Sequence, residues 1–272
     1  MLHYISFGSG SSGNCSMLYT EHSGLLMDAG LGVRTLKKYL KSYAIPMSRI
    51  QSLLITHDHA DHVKSVGSIS RDYSIPVFAT RDVNRGIDRN WCVRTKIPAG
   101  SERIIEKNVA FEVGDFTITP FEVPHDSSDN VGYCIQYDNI TFVLMTDVGH
   151  ITNEISAYIG RANYLVIEAD FEQEMLDNGP YPEYLKTRIS GPLGHQSNVE
   201  CAEAIATNAT QDLRHVWLCH LSNENNHPDL AEKTVKQILR NHGIIAGKGS
   251  GVDFELDVLR RNVPSEVFDL VI

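Results

Sequence analysis

Apolar residues recur along this chain at two periods. Short solid or alternating runs bounded by Gly, Ser, Asn and Pro mark strands, and apolar residues three and four apart mark helices. The first kind opens the sequence with "HYI", "NCSMLYT" and "HSGLLMDAG". Val33, Leu36, Leu40 and Tyr43 then recur at helical spacing after Gly32, and Pro46 stops that helix. "QSLLIT" (51–56) predicts a buried strand, followed by a helical stretch through about residue 73, the strand "PVFAT" and a short helix from Arg81. From Val109 to Asp147 the pattern is a run of strands, "VAFEVG", "FTITPFEVP", "VGYCIQY" and "ITFVLMTD", with Gly, Asp and Asn at the turns. "NYLVIEAD" is a further strand, and a helix from Ser197 and the strand "HVWLCH" come next. Pro228 opens a helix through Leu230, Val235, Ile238 and Leu239 that Gly243 ends, and "GVDFEL" is the last strand. Two runs of strands flanked by helices predict an α/β protein layered as helix, sheet, sheet, helix.

Composition narrows the class. With 272 residues, 42% of them hydrophobic, the chain can bury a full core, and no charge block, repeat or low-complexity tract marks a linker. A single domain over residues 1–272 is expected. No apolar run is long enough to cross a membrane, and "MLHYIS" lacks the basic start and apolar stretch of a signal peptide. Five scattered cysteines without C-x-x-C predict buried, reduced thiols and a cytoplasmic setting. A net charge of −10 argues against non-specific coating of nucleic acid. Oligomeric state is not legible.

Gly8, Gly10 and Gly13 match G-x-G-x-x-G, the dinucleotide fingerprint, but that fingerprint needs a helix after it. Here a strand follows, so the segment reads as a loop between strands. "THDHADH" (56–62) carries far more. It sets His57, His59, Asp61 and His62 within six residues, directly after an apolar strand. Imidazole and carboxylate are ligands for zinc or a similar divalent ion. Residues two apart on an extended segment point the same way, so His57 and His59 can grip one ion, while Asp61 and His62 face a second. His125, Asp147 and His220 each follow an apolar strand, where open α/β sheets place their sites. The expected sets are His57, His59 and His125 on one ion and Asp61, His62 and His220 on the other, with Asp147 bridging. Mixed imidazole and carboxylate ligands accept zinc or manganese.

These residues, with "LLMDAG" before them, resemble the metallo-β-lactamase superfamily, and the implied fold is its αββα four-layer sandwich. Asp28 of "LLMDAG" matches the buried aspartate that supports the ligands of that superfamily. The strings "SFGSGSSGNC", "VPHDSSDNVGY", "TDVGH", "EADF", "GPLGHQSN" and "HLSNENN" are similar to the YycJ/WalJ branch, related to ribonuclease Z and PhnP-type phosphodiesterases. That resemblance implies exonucleolytic cleavage of DNA, and it places the glycine loop beside the metal site.

Two metals alone do not choose among lactams, thioesters and phosphodiesters. Glu168 ends a strand and His195 in "GHQSN" precedes a helix. A positioned histidine can protonate a poor alkoxide leaving group, and a carboxylate would keep it protonated. The pairing is similar to that of ribonuclease Z, and the resemblance assigns Glu168 and His195 accordingly, with Asp61 orienting the attacking hydroxide. Only 21 residues separate His125 from Asp147, which leaves no room for the tRNA-binding arm of ribonuclease Z. His62 stands where some lactamases place a cysteine. Ser127, Lys186, Arg188, Asn223 and Asn225 lie beside the motifs and are candidates for phosphate contacts. The expectation is a dinuclear phosphodiesterase acting on DNA. Open beside it are a small-molecule (cyclic) phosphodiesterase or thioesterase, a mononuclear iron dioxygenase on the same fold, and a DNA-binding scaffold without catalysis.

Overall fold

The alternation of short apolar strands and amphipathic helices organises the computed structural model, which describes every residue from Met1 to Ile272. The residues group into two compact units. The first holds Met1–Pro120, Ser127–Val131 and Arg261–Val271; the second holds Phe121–Asp126 and Gly132–Arg260 together with Ile272.

The first unit is built on a seven-stranded sheet. Its strands are β1 (Leu2–Gly8), β2 (Cys15–Tyr19), β3 (Gly24–Met27), β4 (Ser52–Leu54), β5 (Val77–Ala79), β6 (Glu102–Ile104) and β15 (Phe268–Leu270), in the order β15-β1-β2-β3-β4-β5-β6. Pairing is antiparallel from β15 to β3 and parallel from β3 to β6. Parallel pairing needs crossovers, which the helices α1 (Val33–Ser42), α3 (Val66–Tyr73) and α4 (Arg81–Arg89) supply. Leu36 and Leu40 of α1, Ile69 of α3 and Val83 and Ile87 of α4 pack with Ile5, Met17, Leu26, Leu53 and Val77 in one core. The expected helical stretch up to residue 73 is two helices, α2 (Ala60–Val63) and α3, parted where the Ser65 N–H donates to Ala29 O at 2.9 Å.

That break serves the loops above the sheet. The Asn14 N–H donates to Asp61 O (2.8 Å), Gly30 N–H to Asn14 O (2.9 Å) and Ala29 N–H to His62 O (2.6 Å). The glycine-rich β1–β2 loop, the end of β3 and α2 are thereby laced together. Contact is so close that a Cβ at Gly30 would lie 1.6 Å from Asp61 O.

The second sheet has the order β13-β14-β12-β11-β10-β9-β8-β7. Here β7 is Phe111–Val113, β8 Phe116–Glu122, β9 Val131–Tyr137, β10 Ile140–Leu144, β11 Tyr164–Glu168, β12 His215–Cys219, β13 Ala246–Gly247 and β14 Phe254–Val258. From β10 to β13 the strands are parallel, and β11 and β12 are buried along their whole length. Solid apolar runs such as "YLVI" and "VWL" are what strands buried on both faces require. In the second unit α5 (Asn153–Arg161), α8 (Asn198–Asn208) and α9 (Pro228–Asn241) pack Ile155, Ile159, Cys201, Ile205, Val235 and Leu239 against Leu165, Ile167, Val216 and Leu218. α8 begins at Ser197 as expected, through a capping box with Glu200. α9 has Pro228 at its first turn, and Gly243 follows its end with φ 78°. Helix α5, although its Ile155, Tyr158 and Ile159 have helical spacing, is absent from the sequence expectation, as are the short α6 (Gln173–Asn178) and α7 (Glu183–Ile189). "VAFEVG" pairs only over Phe111–Val113, because Gly114 already turns with φ 56°.

Gly30→Ala should lower stability by about 1–3 kcal/mol through overpacking, read as a lower urea midpoint with an unchanged slope.

Candidate active site

In the first unit the parallel register sets Met27 opposite Leu54, so β3 and β4 deliver Asp28 and Thr56 to the same edge. Asp28 is buried and organises the histidines of the 57–62 turn. Its Oδ1 accepts from the Thr56 N–H (2.9 Å), its Oδ2 from His62 Nδ1 (2.7 Å), and the Thr56 hydroxyl donates to the carboxylate at 3.0–3.1 Å. A hydroxyl has one proton, so Thr56 Oγ1 is left to accept from His57 Nδ1 at 3.0 Å. One carboxylate therefore fixes the ring of His62 directly and that of His57 through Thr56. The His57 ring lies 4.7 Å from that of His59 and 4.1 Å from that of His62. Asp61 Oδ2 lies 3.5 Å from His62 Nε2.

Asn14 was not singled out from sequence. Its Nδ2 reaches Asp61 Oδ2 (3.2 Å) and His62 Nε2 (2.8 Å), while its Oδ1 accepts from the Gly10 N–H (2.7 Å). The glycine loop thus borders the turn that carries Asp61 and His62.

In the second unit β10, β11 and β12 are parallel, and Glu168, the last residue of β11, stands opposite Cys219. Asp147, Glu168 and His220 consequently collect at one sheet edge. Donor atoms of Asp147, Glu168, His195 and His220 all lie within 4.8 Å of one another. Glu168 is fully buried. Its Oε2 accepts from the Val148 and Gln196 N–H groups (2.7 and 3.2 Å). Its Oε1 lies 2.8 Å from His195 Nδ1 and 3.0 Å from His220 Nδ1. His125 Nδ1 donates to Gly194 O at 3.0 Å.

His125 Nε2 and His220 Nε2 are each 3.6 Å from Asp147 Oδ1. That is too long for a hydrogen bond. It matches two ligands sharing an ion at about 2.0–2.2 Å from each, since tetrahedral ligands then stand roughly 3.3–3.6 Å apart. Asp147 Oδ2 is taken by Thr146 Oγ1 at 2.7 Å, which aims Oδ1 at the histidines. The donor set fits a divalent cation. Asp28, Asp147 and His220 each have left-handed backbone, with φ of 60°, 55° and 57°. Non-glycine residues rarely adopt it, and it turns each chain sharply off its strand to aim the side chain.

Carboxylates and imidazoles stand within a few ångströms of one another here. Burial penalises ionised Glu168, but the charge of His195 and bonds from His195 and His220 outweigh it and hold the carboxyl down at about 2. Burial likewise disfavours charged His195, yet Glu168, Asp170 and Asp147 raise its pKa to about 9. Asp170, a second residue that sequence reasoning passed over, lies 3.8 Å from His220 Nδ1. Burial first, with Glu168 and Asp147 adding to it, pushes its pKa up to about 6.

The candidate phosphate contacts are dispersed. Arg188 is exposed and forms a fork with Asp126 at 2.5 and 3.0 Å. Lys186 Nζ donates to Asp177 O at 2.6 Å. Ser127 Oγ donates to Asp129 O at 2.9 Å, and Asn223 is exposed against Glu224. Asn225 is fully buried, with its carbonyl accepting from the Glu172 N–H. All five cysteines are free, and no helix is long and apolar enough to cross a membrane.

Residues 24–221 match the Beta-lactamase superfamily domain, and the chain belongs to the metallo-β-lactamase superfamily, as a hydrolase. Within it, the chain is similar to the exodeoxyribonuclease YycJ of Bacillus anthracis, 31% identical over 266 residues that cover 98% of each chain. It is 33% identical to the exodeoxyribonuclease WalJ of Streptococcus pneumoniae over 253 residues, 93% of this chain and 92% of that one. The crystal structure of YhfI from Bacillus subtilis, a metallo-β-lactamase fold protein, matches with a TM-score of 0.69 at 17% identity, covering 98% of this chain and all of that one. The expected fold class is therefore the observed one.

Asp28→Asn should weaken zinc or manganese binding roughly 10- to 100-fold, the usual effect of losing a group that orients a ligand. Equilibrium dialysis measures this, with circular dichroism showing the fold retained.

Proposed function

We propose that this hydrolase is a dinuclear phosphodiesterase that removes nucleotides from DNA ends, in the cytoplasm, with residues 1–272 acting as one catalytic domain. One observation carries the reading: His195 is held by a buried carboxylate, 2.8 Å from Glu168 Oε1, in the same cluster as Asp147 and His220. A thiolate leaves from a thioester without such a proton donor, whereas an alkoxide leaving from phosphorus needs one. Likeness over nearly the whole chain to two exodeoxyribonucleases supports DNA as the substrate. The family match runs across both units, which supports one domain. The five free thiols agree with a reducing compartment.

His57, His59 and His125 would hold one zinc or manganese ion and Asp61, His62 and His220 the other, with Asp147 shared. Bound divalent ions acidify water and offset the charge that builds on phosphate. Asp61 accepts a hydrogen bond from the attacking water and orients it toward phosphorus. His195 Nδ1 is engaged by Glu168, so the opposite ring edge delivers a proton to the leaving oxygen as its bond to phosphorus breaks. Glu168 stays ionised and stabilises the imidazolium until then. Asp28 sets the tautomer of His62. Asn223 is available to the DNA backbone, Ser127 and Arg188 would reach it by exchanging their bonds to Asp129 and Asp126, and buried Asn225 holds the loop that carries Asn223.

End-labelled linear DNA and bis(p-nitrophenyl) phosphate, offered with metal, test this. Both should be cleaved, and Asp147→Ala should abolish both activities. Cleavage of the small diester alone would restrict the substrate to small phosphodiesters. His195→Ala should slow DNA cleavage about 10²- to 10⁴-fold and the activated diester far less. Equal slowing of both would remove the proton-donor role.

A further inference from the structure

The segment from Arg81 to Lys96, "RDVNRGIDRNWCVRTK", runs against the character of the chain around it. It carries five cations and two carboxylates in a protein whose net charge is −10. In α4 the buried positions are Val83, Asn84, Gly86 and Ile87. Arg81, Arg85 and Arg89, spaced by four, lie exposed along the opposite face, and Arg94 is exposed beyond it. Arg85 meets Asp82 at 3.0 Å, an exposed pair of little strength.

Trp91 follows the helix and is 88% exposed, whereas the other tryptophan, Trp217, is fully buried. The turn bearing Trp91 is fixed. Asn90 Oδ1 accepts from the Cys92 N–H (2.9 Å), Lys96 Nζ donates to Ile87 O and Asn90 O (2.9 Å each), and Val93 is buried.

It is also fastened to the metal-ligand turn. Asn90 Nδ2 donates to the carbonyl of Asp58, the residue between His57 and His59, at 2.8 Å. The Asp58 carboxylate is in turn held by the Ser128 N–H and hydroxyl (3.0 and 2.7 Å), and a Cβ on Gly86 would lie 1.9 Å from its Oδ2. A solvated indole on a fixed turn therefore follows a helix whose buried face packs on Asp58, between His57 and His59, and whose arginines line its exposed face.

We infer that this face of α4 and the Trp91 turn dock a single strand of DNA, Trp91 stacking on an unpaired base and Arg81, Arg85, Arg89 and Arg94 facing the phosphates. Aromatic platforms with flanking cations hold single strands in this manner without reading sequence. The inference rests on the nuclease reading and deepens it, because it gives the substrate a site that the metal ligands alone do not provide.

The test uses a fluorescein-labelled single-stranded oligodeoxynucleotide with phosphorothioate linkages, followed by anisotropy, with bis(p-nitrophenyl) phosphate turnover in parallel. Trp91→Ala should weaken binding about 5- to 150-fold, the range seen for lost base stacking, and Trp91→Phe should recover part of it. The oligonucleotide should quench the exposed tryptophan emission of the wild type but not the emission of Trp91→Phe. Converting Arg85 and Arg89 to Gln should flatten the salt dependence by roughly 0.7 per lost phosphate contact. Turnover of the small diester should be unchanged in every variant. Wild-type affinity and salt slope in these variants would overturn the docking surface while leaving the nuclease reading intact. Loss of small-diester turnover in Trp91→Ala would also overturn it, by tracing the effect to the Asp58 turn. A wild type that hydrolyses the small diester but neither binds nor cleaves DNA would overturn both.

Discussion

A carboxylate shut away from water must be surrounded by donors, and Glu168 is the case on which this site depends. Two backbone N–H groups hold one oxygen, and His195 and His220 crowd the other. Removing any of these would leave a buried charge short of partners, at a cost of several kcal/mol. The requirement runs backwards into the fold. Glu168 meets His220 because β11 and β12 are parallel and in that register, and it meets His195 because α8 begins just after "GHQ". Electrostatics and topology here are one constraint.

The first unit repeats the device with Asp28. In both units a buried carboxylate contacts histidine at Nδ1 and so fixes the orientation of the ring. Strain accompanies it. Asp28, Asp147 and His220 adopt left-handed backbone at about 1–3 kcal/mol each. The laced loops around Asn14 and Gly30, and the strand cores beneath, offset that cost. Catalytic and metal sites commonly concentrate strain of this kind.

Much of this was legible because the signal was local. "THDHADH" puts its ligand-type residues in one turn, and the caps at Ser197 and Pro228 are written in the residues that form them. The strand-end positions of Asp147, Glu168 and His220 followed from solid apolar runs. What escaped notice depends on tertiary contact. Asn14 looks like any loop asparagine until the chain brings it to Asp61 and His62. Asp170 lies two residues beyond Glu168 and becomes relevant only through burial and its distance from His220. α6 and α7 bury few apolar residues, mainly Leu176 and Ile189 beside Phe171, so their periodicity is faint. Trp91 carried no signal in isolation, since a lone exposed aromatic is ordinary. Its meaning comes from the Asn90–Asp58 bond and the arginines of α4.

The proposal that the donors of the two units serve a pair of ions is open to direct measurement. Metal content of the purified chain, read by inductively coupled plasma mass spectrometry after loading and desalting, decides it. Two zinc or manganese ions per chain are expected. A single bound ion, or none retained, would contradict the dinuclear site.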